Sequence, residues 1–285
     1  MQKKILITVS EETSHLYGVR FAGSFFRNKR AVSATLFYVA PRADFAETRS
    51  VAADLKMERA IQKRAKAALD KARQKLLHAG FAEDKVNADF TVNQFGTVKD
   101  IIRKAKSGKY DAVLLGRRGY IFFESLMASS VTREMLAKDL DFPVWICKNP
   151  EENRGNVLVC VDGSDAALRM VDHAGFMLAE QTEHSITLFH VDTGETLDRA
   201  LILEEARAKL IENGVSEDRI ESVVVRAPST AVAKKVLEKA AEGHYAAVGA
   251  GRVGNPKAGL REWLVGSRTK KLVESIEKAS LWISS

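Results

Sequence analysis

Cysteine is scarce in this 285-residue chain, and the two present, Cys147 and Cys160, form no pattern. Each sits in an apolar run, VWIC and VLVC, without metal-ligand spacing and without a disulfide framework. A disulfide-stapled secreted domain is therefore excluded, and a reducing compartment fits. Long hydrophobic runs are also missing. The opening MQKKILITVS has lysines and a short apolar stretch that stops at Ser10-Glu11-Glu12, too short for a secretory core or a bilayer span. A soluble, cytoplasmic protein with no membrane partner is the expectation. Catalytic motifs are lacking too: G-x-x-x-x-G-K-[ST], G-x-S-x-G, H-E-x-x-H and C-x-x-C do not occur. The six histidines, His15, His78, His173, His184, His190 and His244, are scattered. His190, beside Val191 at a strand end, comes nearest to a pocket, and a structural role there is more common than general-base work.

What is present is enough apolar material, 46% of residues, to bury two cores of ordinary size. The net charge of +7 is uneven. Residues 1–150 hold 27 Lys and Arg against 16 Asp and Glu, whereas 151–285 hold 17 against 21. A basic half can meet a polyanion. Many of its cations, however, fall in 56–75 (KMERAIQKRAKAALDKARQK), with no interleaved aromatics for base stacking. That run reads as a solvated helix face, and nucleic acid is not an expected partner.

The chain repeats itself. Residues 110–119 (YDAVLLGRRG) match 245–254 (YAAVGAGRVG) at an offset of 135. ILITVSEETS from residue 5 matches VLVCVDGSDA from residue 157 at an offset of 152, and the strands ending at Val39 and Val191 keep that offset. PVWICK and SLWISS align Trp145 with Trp282. In each copy short Ile/Val/Leu-rich runs alternate with segments of helical apolar spacing. Strands are expected near 3–9, 31–39, 86–93, 110–116 and 143–148, then near 156–162, 185–191, 220–226, 246–250 and 279–284. Helices are expected near 14–28, 55–79, 97–107 and 130–138, with Gly80 as a stop and Thr97 and Ser229 as N-caps. The fold class is α/β: two tandem, doubly wound, five-stranded, mostly parallel sheets, as residues 1–150 and 154–285. The polar stretch NPEENRG (149–155) reads as the linker.

Ligands of such sheets sit beyond the carboxyl ends of the strands. After its fourth strand the first copy has Gly116-Arg117-Arg118-Gly119, nine residues, then Ser129-Ser130. The second has Gly251-Arg252-Val253-Gly254, eleven residues, then Gly266-Ser267. Glycines admit close backbone approach, and a loop of N–H groups leading into a helix start suits an anion. Gly249-Ala-Gly251-Arg-Val-Gly254 is also a literal G-x-G-x-x-G. It follows the wrong strand for a dinucleotide fold, and Pro256 interrupts it.

Twice over, the chain resembles the universal stress protein family. The ATP-binding members of that family carry G-x-x-G, nine residues, then G and S/T, with an acidic residue ending the first strand. The first copy departs from this at Ser10 and Ser129. The second keeps Asp162-Gly163-Ser164, Gly251, Gly254, Gly266 and Ser267 in a longer loop. The resemblance implies an adenine-nucleotide alpha-hydrolase-like fold and a stress-response regulator binding ATP or a related adenine nucleotide, with or without Mg2+. It implies that Asp162 touches the nucleoside, Val161 lines the base pocket and Val191 offers backbone to the base. Gly251, Gly254, Gly266 and Ser267 would hold phosphates, and Gly116, Gly119, Ser129 and Ser130 are their counterparts. The last strands would pair within the chain as a pseudo-dimer, with a homodimer and an unknown protein partner left open. Slow ATP hydrolysis is the most chemistry expected. A nucleotide-independent interaction scaffold is the alternative.

Overall fold

Each run of aliphatic residues without polar alternation becomes a strand, and most are buried on both faces. The computed structural model describes residues 2–11, 16–42, 51–116, 142–194, 198–251 and 267–284. In the first half the strands are β1 (Lys3–Val9), β2 (Val32–Ala40), β3 (Val86–Val92), β4 (Ala112–Leu115) and β5 (Val144–Ile146). In the second they are β6 (Val157–Cys160), β7 (Ile186–Asp192), β8 (Ile220–Arg226), β9 (Ala247–Gly251) and β10 (Ser280–Ser284). The described helices are α1 (Tyr17–Phe25), α2 (Val51–His78), α3 (Thr97–Gly108), α4 (Asp165–Leu178), α5 (Arg199–Glu212), α6 (Val232–Glu242) and α7 (Ser267–Ser275). The helix expected near 130–138 lies outside the described residues.

Both halves have parallel strands in the order 3-2-1-4-5, and they meet edge to edge in one ten-stranded sheet, β3-β2-β1-β4-β5-β10-β9-β6-β7-β8. The joining pair, β5 and β10, is antiparallel, with Trp145 opposite Trp282. Each last strand thus covers the other's edge. Helices α1, α2, α4 and α5 cover one face over a core that includes Ile5, Leu36, Val157 and Leu188. Helices α3, α6 and α7 cover the other face over Leu6, Val113, Leu158 and Val248.

The expected stop at Gly80 is present. Gly80 has φ 96°, its N–H reaches the Leu77 carbonyl at 2.9 Å, and the Phe81 N–H reaches that of Leu76 at 3.0 Å. This Schellman closure recurs at Gly214 (φ 91°), with Gly214 on Ile211 and Val215 on Leu210. The two expected N-caps need correction. Thr97 is already the first residue of α3, and Gly96 precedes it at φ 105°. The turn before α3 is held instead by Asp100, whose carboxylate accepts from the Gln94 N–H at 2.9 Å, and by Asn93, which accepts from the Gly96 N–H at 2.8 Å. Ser229 opens a short 3-10 turn after Pro228, and α6 begins only at Val232.

Residues 149–155 are pinned rather than loose. The Asn149 and Glu151 N–H groups bond to the Glu277 and Lys278 carbonyls, and Arg154, nearly buried, donates to Glu151 at 2.7 Å. Behind the β5–β10 seam the halves interlock. The Trp145 and Trp282 rings stack at 3.9 Å between centroids and 6° between planes, both fully buried. Buried Gln181 accepts from the Arg27 and Asn28 N–H groups and donates to the Asn28 carbonyl. The His184 ring stacks on Phe25 and bonds to its carbonyl at 2.7 Å.

The seam is asymmetric in one polar detail. Trp145 donates its Nε1–H to His173 Nε2 at 3.0 Å. Trp282 Nε1–H has no acceptor among the described residues, and it stands edge-on to Phe25. At the 152-residue offset Phe21 stands where the second half has His173, and a phenyl ring has no nitrogen to accept such a bond. Burial lowers the His173 pKa from 6.5 to about 3, and burial also lowers that of His184. Both rings are therefore neutral when folded and take up protons on unfolding below their ordinary pKa.

Full stability is thus expected above about pH 6.5. Through His173 it declines as pH falls toward 3, approaching about 1.4 kcal/mol per pH unit, and His184 acts in the same direction. Thermal unfolding of wild type and His173→Phe at pH 7 and pH 4.5 checks this. The variant should lose less stability on acidification, and an equal loss would remove His173 from the account.

Candidate functional site

In the second half the chain leaves the adjacent strands β6 and β9 toward opposite faces of the sheet. After β6 it runs to α4 on one face, and α7, which leads from β9 into β10, lies on the other. The gap at the carboxyl ends of β6 and β9 is the switch point of the second half, and that of β1 and β4 is its counterpart.

At the end of β6 the chain must turn at once into α4. Gly163 takes φ 79°, which suits glycine, and Ser164 becomes the N-cap by accepting from the Ala167 N–H at 3.2 Å. Exposed Asp162 organises this turn. Its Oδ1 accepts from the Ser164 N–H at 3.0 Å and from the Ser164 hydroxyl at 2.6 Å. Its Oδ2 has no hydrogen bond among the described residues. Val161, buried, is held between Phe189, whose carbonyl accepts from its N–H at 3.0 Å, and His190, whose Nδ1 lies 2.9 Å from its carbonyl. Facing a carbonyl, Nδ1 is the donor of that contact, so the ring serves as a strand-end tie. Val191, half-buried, follows in β7 and pairs with Val225.

Composition and motif scanning missed a second carboxylate here. Asp192 accepts from the Gly194 N–H at 2.9 Å and lies 3.4 Å from Arg199 Nη1. The Gly194 N–H, then the charges of Arg199, Arg226 and His190, hold its pKa below the ordinary value. The D-x-G spacing of Asp192 and Gly194 was the available signal, since it is the usual form of a side-chain-closed turn. Cys160 closes β6 nearby, and its thiol is pushed up to about 12, by burial first and by the Asp162 charge second. It is not a nucleophile at neutral pH. Among the described residues no His/Cys/Asp/Glu group could hold a metal ion.

The glycines separate into packing and open positions. A Cβ on Gly251 would stand 2.4 Å from the Ala166 carbonyl carbon and the Ala167 nitrogen, so only glycine lets the end of β9 lie on the first turn of α4. Its counterpart Gly116 would meet nothing closer than 4.0 Å among the described residues. A Cβ on Gly249 would meet Met170 at 3.0 Å. In the first half the sizes are exchanged: Leu114 stands at the place of Gly249, and Gly18 at the place of Met170. The first glycine of the literal G-x-G-x-x-G therefore makes room for a methionine, which disposes of the dinucleotide reading. Ser267 is the first residue of α7. Gly254, Gly266, Gly119, Ser129 and Ser130 lie outside the described residues.

The first half closes its own switch point differently. Ser10 stands where the second half has Asp162, and the carboxylate moves to Glu11. Glu11 accepts from the Tyr38 hydroxyl at 2.9 Å and lies 3.9 Å from Arg64 Nη1 of α2. Tyr38 occupies the position that His190 has in the second half.

The model of the universal stress protein family matches residues 1–148 and again 153–281. The chain belongs to that family. Among solved structures, a universal stress protein from Archaeoglobus fulgidus covers 99% of this chain and is itself covered to 96%, at 17% identity and a TM-score of 0.64. A putative universal stress protein from Pseudomonas aeruginosa covers 99%, is covered to 93%, and has 13% identity and a TM-score of 0.53. These likenesses establish the tandem universal stress protein fold over the full length. A universal stress protein in complex with cAMP matches 46% of the chain and is covered to 95%, at 23% identity and a TM-score of 0.36. No curated protein matches the chain significantly. No helix among the described residues is long and apolar enough to cross a membrane.

Two outcomes test the glycine assignments. Gly251→Ala should destabilise by about 1–3 kcal/mol through overpacking, while Gly116→Ala should be neutral or stabilise by up to about 1 kcal/mol. Denaturant unfolding of both variants measures the contrast. Gly249→Leu and Met170→Gly should each destabilise singly. Their double variant should recover about 0.5–3 kcal/mol relative to the sum, and strict additivity would show that the two positions do not share one volume.

Proposed function

We propose that this universal stress protein is a nucleotide-responsive regulator that binds an adenine nucleotide, ATP foremost, at the switch point of its second half. The supporting observation is the contrast between the two carboxylates. Asp162 is bonded only through Oδ1, to Ser164, among the described residues, whereas the first half has Ser10 at that position and its next carboxylate, Glu11, is bonded to the Tyr38 hydroxyl. A carboxylate oxygen with free lone pairs is a natural acceptor for ribose hydroxyls. In this reading Val161 and the Val191 backbone border the base. Gly251 brings β9 against α4, and the loop through Gly254 and Gly266 to Ser267 at the start of α7 takes the phosphates. A bound Mg2+ would be carried by those phosphates rather than by a protein cluster. Hydrolysis in this reading is at most slow. Residues 1–150 and 154–285 are the two domains of the proposal. The protein acts in the cytoplasm, and a protein partner reads the nucleotide state.

The competing reading is a nucleotide-independent scaffold. Its support is that Asp162 and Ser164 already have a complete structural task as turn and N-cap. Mass spectrometry of small molecules released from the purified protein separates the two, using wild type, Asp162→Ala and Ser164→Ala. An adenine nucleotide should be present in wild type, lost in Asp162→Ala and retained in Ser164→Ala, which breaks the cap but keeps the carboxylate. A protein that carries no nucleotide and takes up no ATP by calorimetry would leave the scaffold.

A further inference from the structure

Helix α2 is 28 residues long, whereas its counterpart α5 has 14. The two differ in charge as well as in length. Residues 55–78 carry Lys56, Arg59, Lys63, Arg64, Lys66, Lys71, Arg73 and Lys75 against Glu58 and Asp70. Helix α5 balances Arg199, Arg207 and Lys209 with Glu204, Glu205 and Glu212. The core face of α2 is Ile61, Ala65, Ala68, Leu69, Ala72 and Leu76, all buried. Lys56, Arg59, Lys63 and Lys66 are exposed on the opposite side. Their i, i+3, i+7, i+10 spacing sets them in one row about 15 Å long, with neighbours about 5–6 Å apart.

None of these four cations has an ion-pair partner among the described residues. Elsewhere on the helix Arg64 and Arg73 do, with Glu11 and Glu83. A row of unneutralised cations at this spacing repels itself, and an isolated helix with it would lose stability. The sheet holds the row in place through the buried face. The duplicated half packs the corresponding helix without any such row, so the fold does not require it.

We propose that this face of α2 is a docking surface for the phosphate backbone of a double-stranded nucleic acid, bound without regard to base sequence. The chemistry of the face selects this occupant. Its exposed side chains are mainly Lys and Arg, interrupted by Ala60, Gln62 and Ala67, with Leu55 at its start, Asp70 beyond Lys66 and no aromatic anchor. Protein interfaces are depleted in Lys and centred on such anchors, and single strands are held by aromatic stacking. Membrane-surface helices insert an apolar face, and that of α2 is already spent on the core. Phosphates need only cations at regular intervals along a rigid element.

The test is fluorescence anisotropy of a labelled DNA duplex of about 20 base pairs with the full chain, at salt from about 50 to 200 mM. Wild type should bind with a log–log salt slope near −4, a loss of about 100-fold across that range. The combined variant Lys56→Gln, Arg59→Gln, Lys63→Gln, Lys66→Gln should lose most affinity at low salt and bring the slope toward zero. Its melting temperature should stay close to that of wild type, since all four positions are exposed. Lys234→Gln, on α6 of the second half, should bind like wild type. Absence of duplex binding by wild type at about 50 mM salt, or an unchanged slope in the combined variant, overturns the proposal. Tighter binding to the matching single strand, or to vesicles rich in phosphatidylserine, also overturns it and assigns the face to that partner.

Discussion

Two indole rings lie face to face where β5 meets β10, and the architecture is organised around that contact. Each ring belongs to the last strand of one half. Without the other half, each strand would expose a row of unpaired backbone groups and a large apolar side chain. Pairing the two satisfies both needs at once. The flanking aromatic cluster of Phe21, Phe25, Phe26, His173 and His184 comes from α1, α4 and the start of β7, so it locks helices from both halves onto the seam. Stacked and edge-on aromatic pairs add about 0.5–1.5 kcal/mol each beyond their buried area, and here several share one site. The two halves therefore behave as one body.

Around that axis the halves have diverged in ways that preserve volume while changing chemistry. Gly18 with Leu114 and Met170 with Gly249 fill equivalent space from opposite sides, as close-packed cores demand. Gly23 and Gly175 both allow α1 and α4 to approach the next helix, against Ala79 and Asn213. The polar exchanges are less conservative. Phe21 and His173 give the two tryptophans unequal hydrogen bonding, and the replacement of Ser10 by Asp162 changes the character of the switch point. The proposed division of labour follows: a second half with a carboxylate, Asp162, beyond its first strand and a first half with Ser10 at that place.

The distribution of charge follows the same division. Much of the surplus of cations in the first half lies on α2, which is twice as long as its counterpart α5. Nucleotide recognition at the strand ends and polyanion recognition on the helix face would occupy separate surfaces. Arg64 of α2, through Glu11, joins that helix to the carboxyl end of β1.

The order of strands and helices, the duplication and the glycine stop at Gly80 were legible in the sequence. All of these are carried by residues near one another in the chain: aliphatic runs, helical spacing, and a backbone conformation that favours glycine. The positions of Asp162, Val161 and Val191 at the end of the sheet followed from the same pattern. The sequence alone did not decide what each residue does there. The Gly249 motif is a packing glycine because Met170, far away in the chain, fills its space. Asp162 is half engaged because Ser164 bends back to it. Thr97 is not a cap because Asp100 and Asn93 hold the turn ahead of it. His190 and His173 are single histidines whose roles depend on a carbonyl and an indole brought up by other strands. Local propensity and repetition encode which elements form. Which surfaces, lone pairs and volumes are left over is settled only when distant elements compete for the same space.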